Sequence, residues 1–188
     1  MPVPIPPFDN ILNVLPPHLG DPRLPSDLSP YPCTVVELCN RFATSPKRKS
    51  ILEGFLNFRQ ELFNLNLTGF QWIDGSFLED IEAQEGRDPG DIDVVSFTDS
   101  TMDLPALKTH IASSNPHLLQ RAHVKATYFV DHFLMPLGSL PVEIVDQTRY
   151  WYGLFSHRRD RLWKGMLVIK LIDSADDNAA RTILGSKP

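Results

Sequence analysis

The segment DIDVV, residues 91–95, places two aspartates at the start of an apolar run that predicts a β-strand. Side chains alternate between the two faces of a strand, so Asp91 and Asp93 share one face while Ile92 and Val94 point the other way. A buried strand normally excludes carboxylates, because an unpaired charge is costly to desolvate. The pair therefore predicts either a retained proton or a divalent cation such as Mg²⁺ between the two carboxylates.

A glycine-serine pair precedes the acidic strand. Gly75 and Ser76 follow the predicted strand FQWID, residues 70–74. Glycine lets the backbone N–H groups approach a phosphate closely, and serine adds a hydroxyl. Such a turn next to two carboxylates is typical of a site for phosphoryl chemistry. An Asp-Ile-Asp segment also occurs at strand starts that merely face water, and that alternative stays open.

The order of these motifs resembles the signature of the DNA polymerase β-like nucleotidyltransferase superfamily. That signature has an apolar residue, a Gly-Ser pair, a polar loop and a strand with alternating carboxylates; here fourteen residues separate Ser76 from Asp91. A later strand supplies a third carboxylate in that superfamily. Asp131, in YFVDHF, is the best match, and Glu143, in VEI, is the reserve.

A second resemblance covers most of the chain. The stretches LPP (residues 15–17), RFATSPKRKSILEG, WIDGSF, DIDVV and YWYGLFSHRRD followed by KGML look like a stand-alone group of small bacterial nucleotidyltransferase-like proteins. The resemblance implies a mixed β-sheet with helices packed on one face. It also implies nucleotide binding, with ATP among the candidate nucleotides.

The resemblance assigns roles to individual residues. Gly75 and Ser76 would hold a nucleoside triphosphate, Asp91 and Asp93 would coordinate two Mg²⁺ ions, and Asp131 would bind the second ion and help to deprotonate the attacking hydroxyl. The implied reaction moves a nucleoside monophosphate from an NTP to a hydroxyl of a protein or RNA partner. Small members of the superfamily do this in toxin–antitoxin pairs or in phage defence.

Cationic residues are concentrated in FSHRRDRLWKG, residues 155–165. Arginine forks suit phosphate recognition, so Arg158, Arg159 and Lys164 are candidate nucleotide contacts. In the alternative, Arg159 pairs locally with Asp160 and the segment is a solvated helix end.

Other charged residues have simpler interpretations. Asp74 is expected to hydrogen-bond the Gly-Ser turn rather than to bind a metal. The basic residues 47–49 at a helix start are expected to be solvated. Four acidic residues are expected to form a solvated loop: Glu79, Asp80, Glu82 and Glu85.

Two further functions stay open beside the transferase. In one, the metal site is weak or inactive and the domain is a binding module that regulates a partner. In the other, a phosphohydrolase uses the same carboxylates and cleaves a nucleotide without transfer. Convergence of a third carboxylate favours an enzyme over the binding module.

Composition narrows the partners and the compartment. A formal net charge of -5 argues against strong non-specific nucleic-acid binding. No run approaches the ~20 apolar residues of a membrane span. The two cysteines are expected to be reduced, and the first residues lack a signal-peptide pattern, so we expect a cytoplasmic protein.

Elements mixed along the chain predict an α+β (α/β) fold. A proline-rich arm, residues 1–32, is expected to dock on the nucleotidyltransferase-like domain, residues 33–173, and residues 174–188 to form a polar tail. Helix starts are predicted at Thr34, with Glu37 completing a capping box, and at Ser45 before Pro46. A third strand is predicted over residues 126–135 and a final one over residues 162–171.

Overall fold

The computed structural model describes residues 5–99 and 101–185 of the chain. The helices are α1 (Val35–Phe42), α2 (Pro46–Asn64), α3 (Ile81–Glu85), α4 (Leu104–Ser114), α5 (Arg121–Tyr128), α6 (Pro141–Phe155) and α7 (Ser174–Leu184). The strands are β1 (Tyr31–Pro32), β2 (Gly69–Asp74), β3 (Ile92–Thr98), β4 (Val130–Pro136) and β5 (Leu167–Lys170). The predicted α+β fold is confirmed.

The five strands form one mixed sheet in the order β1-β5-β2-β3-β4. Strand β2 pairs antiparallel with both β3 and β5, whereas β3 and β4 are parallel. A parallel neighbour requires a crossover, and helices α4 and α5 supply it. As a result, β3 and β4 begin at the same edge of the sheet where β2 ends.

Helices cover the two faces of the sheet unequally. Alternate residues of β3 separate the cores: Val94 packs with the buried residues of α1, α2, α4, α5 and α7, whereas Val95 packs with Trp151 and Phe155 of α6. The prediction of helices on one face therefore holds for these five helices but not for α6, which packs on the other face. The cleft described below lies on the α6 face.

The predicted helix starts are confirmed. The Thr34 hydroxyl accepts a hydrogen bond from the Glu37 backbone N–H, and the Glu37 carboxylate accepts one from the Thr34 backbone N–H. Ser45 caps α2 by accepting from the Arg48 N–H, with Pro46 in the first turn. These contacts satisfy N–H groups that have no partner inside the helix.

Residues 5–32 of the proline-rich arm dock on the domain, as expected, and contribute to its sheet, whereas residues 1–4 lie outside the described part of the chain. Leu15 is fully buried, and the Gly165 N–H donates to its carbonyl over 2.7 Å. Residues Tyr31 and Pro32 form β1, which pairs parallel with β5. The predicted boundary after residue 32 therefore falls inside the folded unit.

The segment predicted to be a polar tail forms helix α7 instead, and residues 186–188 lie outside the described part of the chain. Asp173 caps the helix, and Ala180 and Leu184 are buried in the main core. Asp177 receives a hydrogen bond over 2.8 Å from the buried Arg59 guanidinium. The helix was not predicted from the sequence, because its composition is polar and only one narrow stripe of its surface is apolar.

The third strand begins later than predicted. Residues 121–128 form α5, which ends at Phe129 in the left-handed conformation with φ of 55°.

Both cysteines are free, as expected. Within residues 5–99 and 101–185, every helix is too short or too polar to cross a lipid bilayer.

Candidate ligand-binding cleft

Three strand ends bring acidic residues together at one edge of the sheet. In the strand register, Asp93 of β3 lies opposite Asp74 of β2 on one side and opposite Asp131 of β4 on the other. These side chains line an open cleft of about 700 Å³, within the range of about 300–1,000 Å³ typical of small-molecule sites. Asp91, two residues before Asp93, also lines the cleft.

Gly75 connects β2 to the acidic residues through a conformation that favours glycine. Its φ is 92°, which L side chains rarely adopt. A Cβ atom at this position would lie 2.1 Å from the Asp93 Oδ2 atom, far inside van der Waals contact. The backbone turn therefore favours glycine, and a methyl group at this position would also displace the Asp93 carboxylate.

Among the aspartates at this edge of the sheet, Asp93 is the one whose negative charge is least compensated by a neighbouring cation. Burial, followed by the negative charges of Asp91 and Asp131, raises its pKa to about 6. Among the described residues, no lysine or arginine forms an ion pair with Asp93. An added cation at Asp93 would therefore meet a carboxylate that has no ion pair to a described residue.

Helix α5 supplies two cations to the neighbouring carboxylates. Arg121 binds Asp131 through two nitrogens, with Nη2 at 2.7 Å from Oδ2. Lys125 forms ion pairs with Asp91 and, over 3.3 Å, with Asp131. Burial opposes ionisation of Asp131, but the hydrogen bonds from Arg121 and the charge of Lys125 outweigh it and lower the Asp131 pKa.

Lys164 is buried on the opposite side of the Gly-Ser turn. Its Nζ lies 3.0 Å from Asp74 Oδ1 and 2.8 Å from Glu79 Oε1, and it donates to the Gly75 carbonyl over 3.2 Å. Two buried carboxylates share this one ammonium group. Burial accordingly raises the pKa of Asp74 to about 7, although Lys164 lowers it in part.

Arg158 also pairs with protein carboxylates. Its guanidinium lies 3.4 Å from Glu79 and 3.3 Å from Asp160, and it hydrogen-bonds the Gln84 side chain. Arg159 is exposed at the rim of the cleft. Of the three predicted phosphate contacts, only Arg159 is therefore without an ion pair to a described carboxylate.

The loop after the Gly-Ser turn is ordered by residues expected to be solvated. Arg48 is buried; its guanidinium donates over 2.7 Å to the carbonyls of both Phe77 and Glu79, and it pairs with Glu82. The arm contributes the Asn13 carbonyl, which accepts from the Asp80 N–H over 2.9 Å. The prediction of a solvated loop was wrong for Glu79, which is buried between Lys164 and Arg158.

The structure brings together every residue predicted for the site. Eight residues line the same cleft: Gly75, Ser76, Asp91, Asp93, Asp131, Arg158, Arg159 and Lys164. The reserve carboxylate Glu143 is elsewhere, exposed in the first turn of α6, where it accepts a hydrogen bond from the Leu140 N–H. Geometry thus favours Asp131 over Glu143 as the third carboxylate.

The side chain after Asp131 points to the opposite face of β4, as the strand period predicts. His132 is buried against Phe58, with ring centroids 4.6 Å apart, and its Nε2 lies 2.8 Å from Ser96 Oγ. Burial lowers its pKa to about 3, so the imidazole is neutral. It belongs to the core and not to the cleft.

Three charged residues of the cleft were missed or misread in the sequence: Arg121, Lys125 and Glu79. The signal for the first two was an Arg-x-x-x-Lys spacing, which places both side chains on one face of a helix. It went unseen because residues 115–125 were read only as a connection to the strand predicted over residues 126–135. Glu79 gave no local signal, since only the fold brings Lys164 next to it. The expected contact of Asp74 with the Gly-Ser turn is present, because its carboxylate accepts a hydrogen bond from the Gly75 backbone.

Within residues 5–99 and 101–185, no three His, Cys, Asp or Glu side chains are grouped so as to hold a metal ion. In this arrangement Lys125 and Arg121 contact Asp91 and Asp131. The donor chemistry nevertheless suits a hard divalent cation, because Asp91, Asp93 and Asp131 offer only oxygen ligands on adjacent strands.

The protein is thus an α+β protein with a charged cleft, formed at one edge of its sheet by carboxylates, a glycine turn and basic side chains. The chain belongs to the family described as "Family of unknown function (DUF6932)", whose profile matches residues 6–170. That range includes all eight predicted site residues. Comparisons with curated proteins and with solved structures gave no match.

Proposed function

We propose that this protein is a Mg²⁺-dependent nucleotidyltransferase that moves a nucleoside monophosphate from an NTP to a hydroxyl of a protein or RNA partner. The observation that carries the proposal is the strand register. It places Asp93 opposite Asp131 and next to the Gly75 turn, in the order that the sequence resemblance implies. The toxin–antitoxin or phage-defence setting belongs to the same proposal and rests on the resemblance alone.

Asp91, Asp93 and Asp131 would hold the metal ions. Bound Mg²⁺ would neutralise the charge that develops on the triphosphate and orient the reacting oxygens. The raised pKa of Asp93 supports the assignment, because crowded carboxylates without a counter-ion gain most from a divalent cation.

The proposed reaction is an in-line displacement, in which one carboxylate accepts a proton and other residues of the cleft position the substrate. The acceptor hydroxyl oxygen bonds to the α-phosphorus while the bond from that phosphorus to the β-phosphate oxygen breaks, and pyrophosphate leaves. Asp131 takes the hydroxyl proton. Gly75 keeps the backbone close to the carboxylates, and Lys164 fixes this turn through the Gly75 carbonyl. Such positioning supplies most of the rate in phosphoryl transfer.

A binding module that does not catalyse transfer is the second candidate. Its specific support is that Arg121 and Lys125 already neutralise two of the three carboxylates, which leaves a cleft that is stable without a metal. In this case the protein would regulate a partner through its surface, and the carboxylates would be structural.

Calorimetric titration separates the two candidates. Each NTP is titrated with Mg²⁺ into the wild type, into an Asp91→Ala, Asp93→Ala double variant, and into Glu143→Gln as a matched control outside the cleft. The proposal expects Mg²⁺-dependent binding in the wild type and control, and none in the folded double variant. Absence of wild-type binding at millimolar nucleotide contradicts the transferase and favours the binding module.

Product analysis then identifies the reaction. An NTP labelled at the α-phosphate should label protein or RNA in a cell extract and release pyrophosphate. Free nucleoside monophosphate or diphosphate without a labelled acceptor would instead identify a phosphohydrolase.

A further inference from the structure

The cations of the cleft fall into two groups that differ in burial. The Lys164 side chain is only 4% exposed and contacts Asp74 and Glu79. The side chains of Arg121 and Lys125 are 61% and 51% exposed, although they contact carboxylates that are 6% and 17% exposed. Lys164 is thus part of the folded core, whereas the two cations of α5 reach into the cleft from solvent.

Helix α5 holds both exposed cations over the carboxylate group. They are four residues apart, so they project from one face of the helix toward the start of β3 and β4. The helix itself is anchored at its far end: a Cβ atom on Gly54 would lie 2.3 Å from the Tyr128 carbonyl oxygen, so α2 packs directly against this end. Long side chains on an anchored helix can move without any change in the fold.

We infer that Arg121 and Lys125 are exchangeable cations, which neutralise Asp91 and Asp131 in the empty cleft and bind the triphosphate once Mg²⁺ has displaced them. This inference rests on the proposed function and extends it. It replaces the expectation that Arg158 and Lys164 are the main phosphate contacts. Those two cations stay with Glu79 and Asp74.

Lys125 and a bound metal ion would compete for the same carboxylate oxygens, so the ammonium group must move away when the metal binds. Lys125 Nζ contacts Asp91 and lies 3.3 Å from Asp131 Oδ2, so it stands between two of the three carboxylates that would hold a metal. A divalent ion at the same oxygens would repel the ammonium group at contact distance. Release costs little because half of the Lys125 side chain is already in water.

The released cations stay in the cleft. The Arg121 guanidinium lies 4.7 Å from the centroid of the Phe133 ring, and both residues line the cleft. A cation over an aromatic face keeps a favourable contact after its carboxylate has been taken by a metal. Metal and triphosphate binding are therefore coupled: the metal frees the cations that the phosphates need, and the coupling is reciprocal.

The experiment measures two affinities whose changes have opposite signs. Mg²⁺ alone, and then ATP at saturating Mg²⁺, are titrated calorimetrically into the wild type and a Lys125→Met variant. Removal of the competing ammonium should tighten Mg²⁺ binding by about threefold. Removal of a phosphate contact should weaken ATP binding by roughly tenfold.

Two further variants keep the result specific. Lys108→Met removes the same charge from the exposed surface of α4 and should change neither affinity appreciably. Lys125→Arg preserves the charge and should retain most of the ATP affinity. Urea unfolding curves establish that each variant is folded.

The outcomes distinguish the inference from the proposed function. If the wild type binds neither Mg²⁺ nor ATP, the proposed function fails and the inference fails with it. If the wild type binds both, but Lys125→Met leaves Mg²⁺ affinity unchanged or weaker, then the exchange is wrong while the transferase stands. Weaker ATP binding together with tighter Mg²⁺ binding supports the exchange, since a purely structural role of Lys125 would weaken both.

Discussion

Asp93 and Asp131 lie directly opposite each other on the parallel strands β3 and β4, and only Asp131 has a cationic partner among the described residues. The same sheet edge thus carries one carboxylate with a cationic partner and, among the described residues, one without. Their pKa values move in opposite directions for that reason: burial and like charges raise that of Asp93, while Arg121 and Lys125 outweigh burial and lower that of Asp131. Removal of the two side chains should therefore have opposite effects on stability.

Asp93→Asn should stabilise the protein in the absence of metal. The folded-state pKa of about 6 exceeds the usual aspartate pKa of 3.8, so the ionised side chain destabilises the fold above pH 6 and the penalty disappears below about pH 4. At pH 7.5 we expect the variant to be more stable by roughly 1–3 kcal/mol, and equal to the wild type near pH 4. Urea unfolding from pH 4 to 8 measures this difference.

Asp131→Asn serves as the matched comparison, because it removes a carboxylate whose pKa is lowered. It should be less stable than the wild type at pH 7.5. A loss of stability in both variants would show that the charge state of Asp93 does not govern this edge of the sheet.

Gly75→Ala should be among the most damaging single-methyl changes in the chain. The residue combines a φ of 92° with a Cβ position 2.1 Å from Asp93 Oδ2. We expect a loss of about 2–4 kcal/mol in the free energy of unfolding, together with loss of nucleotide binding. Gly86→Ala is the control, since Gly86 has a φ of 65° but no atom within 4 Å of its Cβ position. Equal losses in the two variants would mean that backbone strain alone explains the effect.

Lys164→Met should strongly destabilise the fold. It leaves the Asp74 and Glu79 carboxylates buried without their shared ammonium, at a cost of about 3–5 kcal/mol. The loss should be smaller at pH 5 than at pH 8, because Asp74, whose pKa burial raises to about 7, is protonated at pH 5 and no longer needs the cation. Adding Glu79→Gln should recover part of the stability at pH 8. Lys170→Met, at a site 78% exposed, should change the unfolding free energy by less than about 0.5 kcal/mol.

Asp177→Asn tests whether α7 is part of the domain. Arg59 is buried, and Asp177 Oδ1 accepts from its Nη2 over 2.8 Å, so the variant removes the negative partner of a buried charge. We expect a loss of about 2–4 kcal/mol in chemical denaturation. The exposed Asp146 of α6 pairs with Arg149 only at 3.9 Å, and Asp146→Asn should have almost no effect. A neutral result at Asp177 would restore the interpretation of residues 174–188 as a tail.

Local patterns in the sequence predicted the elements that carry their own signals. The capping box at Thr34 and the Ser45-Pro46 start are decided by hydrogen bonds within one turn, so neighbouring residues suffice to find them. The acidic strand was found in the same way, because two carboxylates at period two are rare in an apolar run. Convergence of Asp131 with Asp93 required the resemblance, since thirty-seven intervening residues separate them.

Features that depend on distant partners could not be read locally. Helix α7 has little apolar surface and is held by Arg59, which lies more than a hundred residues earlier in the chain. The burial of Glu79 depends on Lys164 in the same way. Helix α5 was missed because β-branched and aromatic residues at its end favour a strand, and tertiary packing overrode that preference.

The alternation of Asp131 and His132 along β4 has a consequence for the assembly of the sheet. One residue faces the cleft and the next lies in the core against Phe58. A slip of β4 by a single residue would turn the carboxylate into the apolar interior and the imidazole out toward Asp93. The charged edge therefore favours the native register of β4 during folding, because a strand shifted by one residue would bury a carboxylate and expose a core side chain.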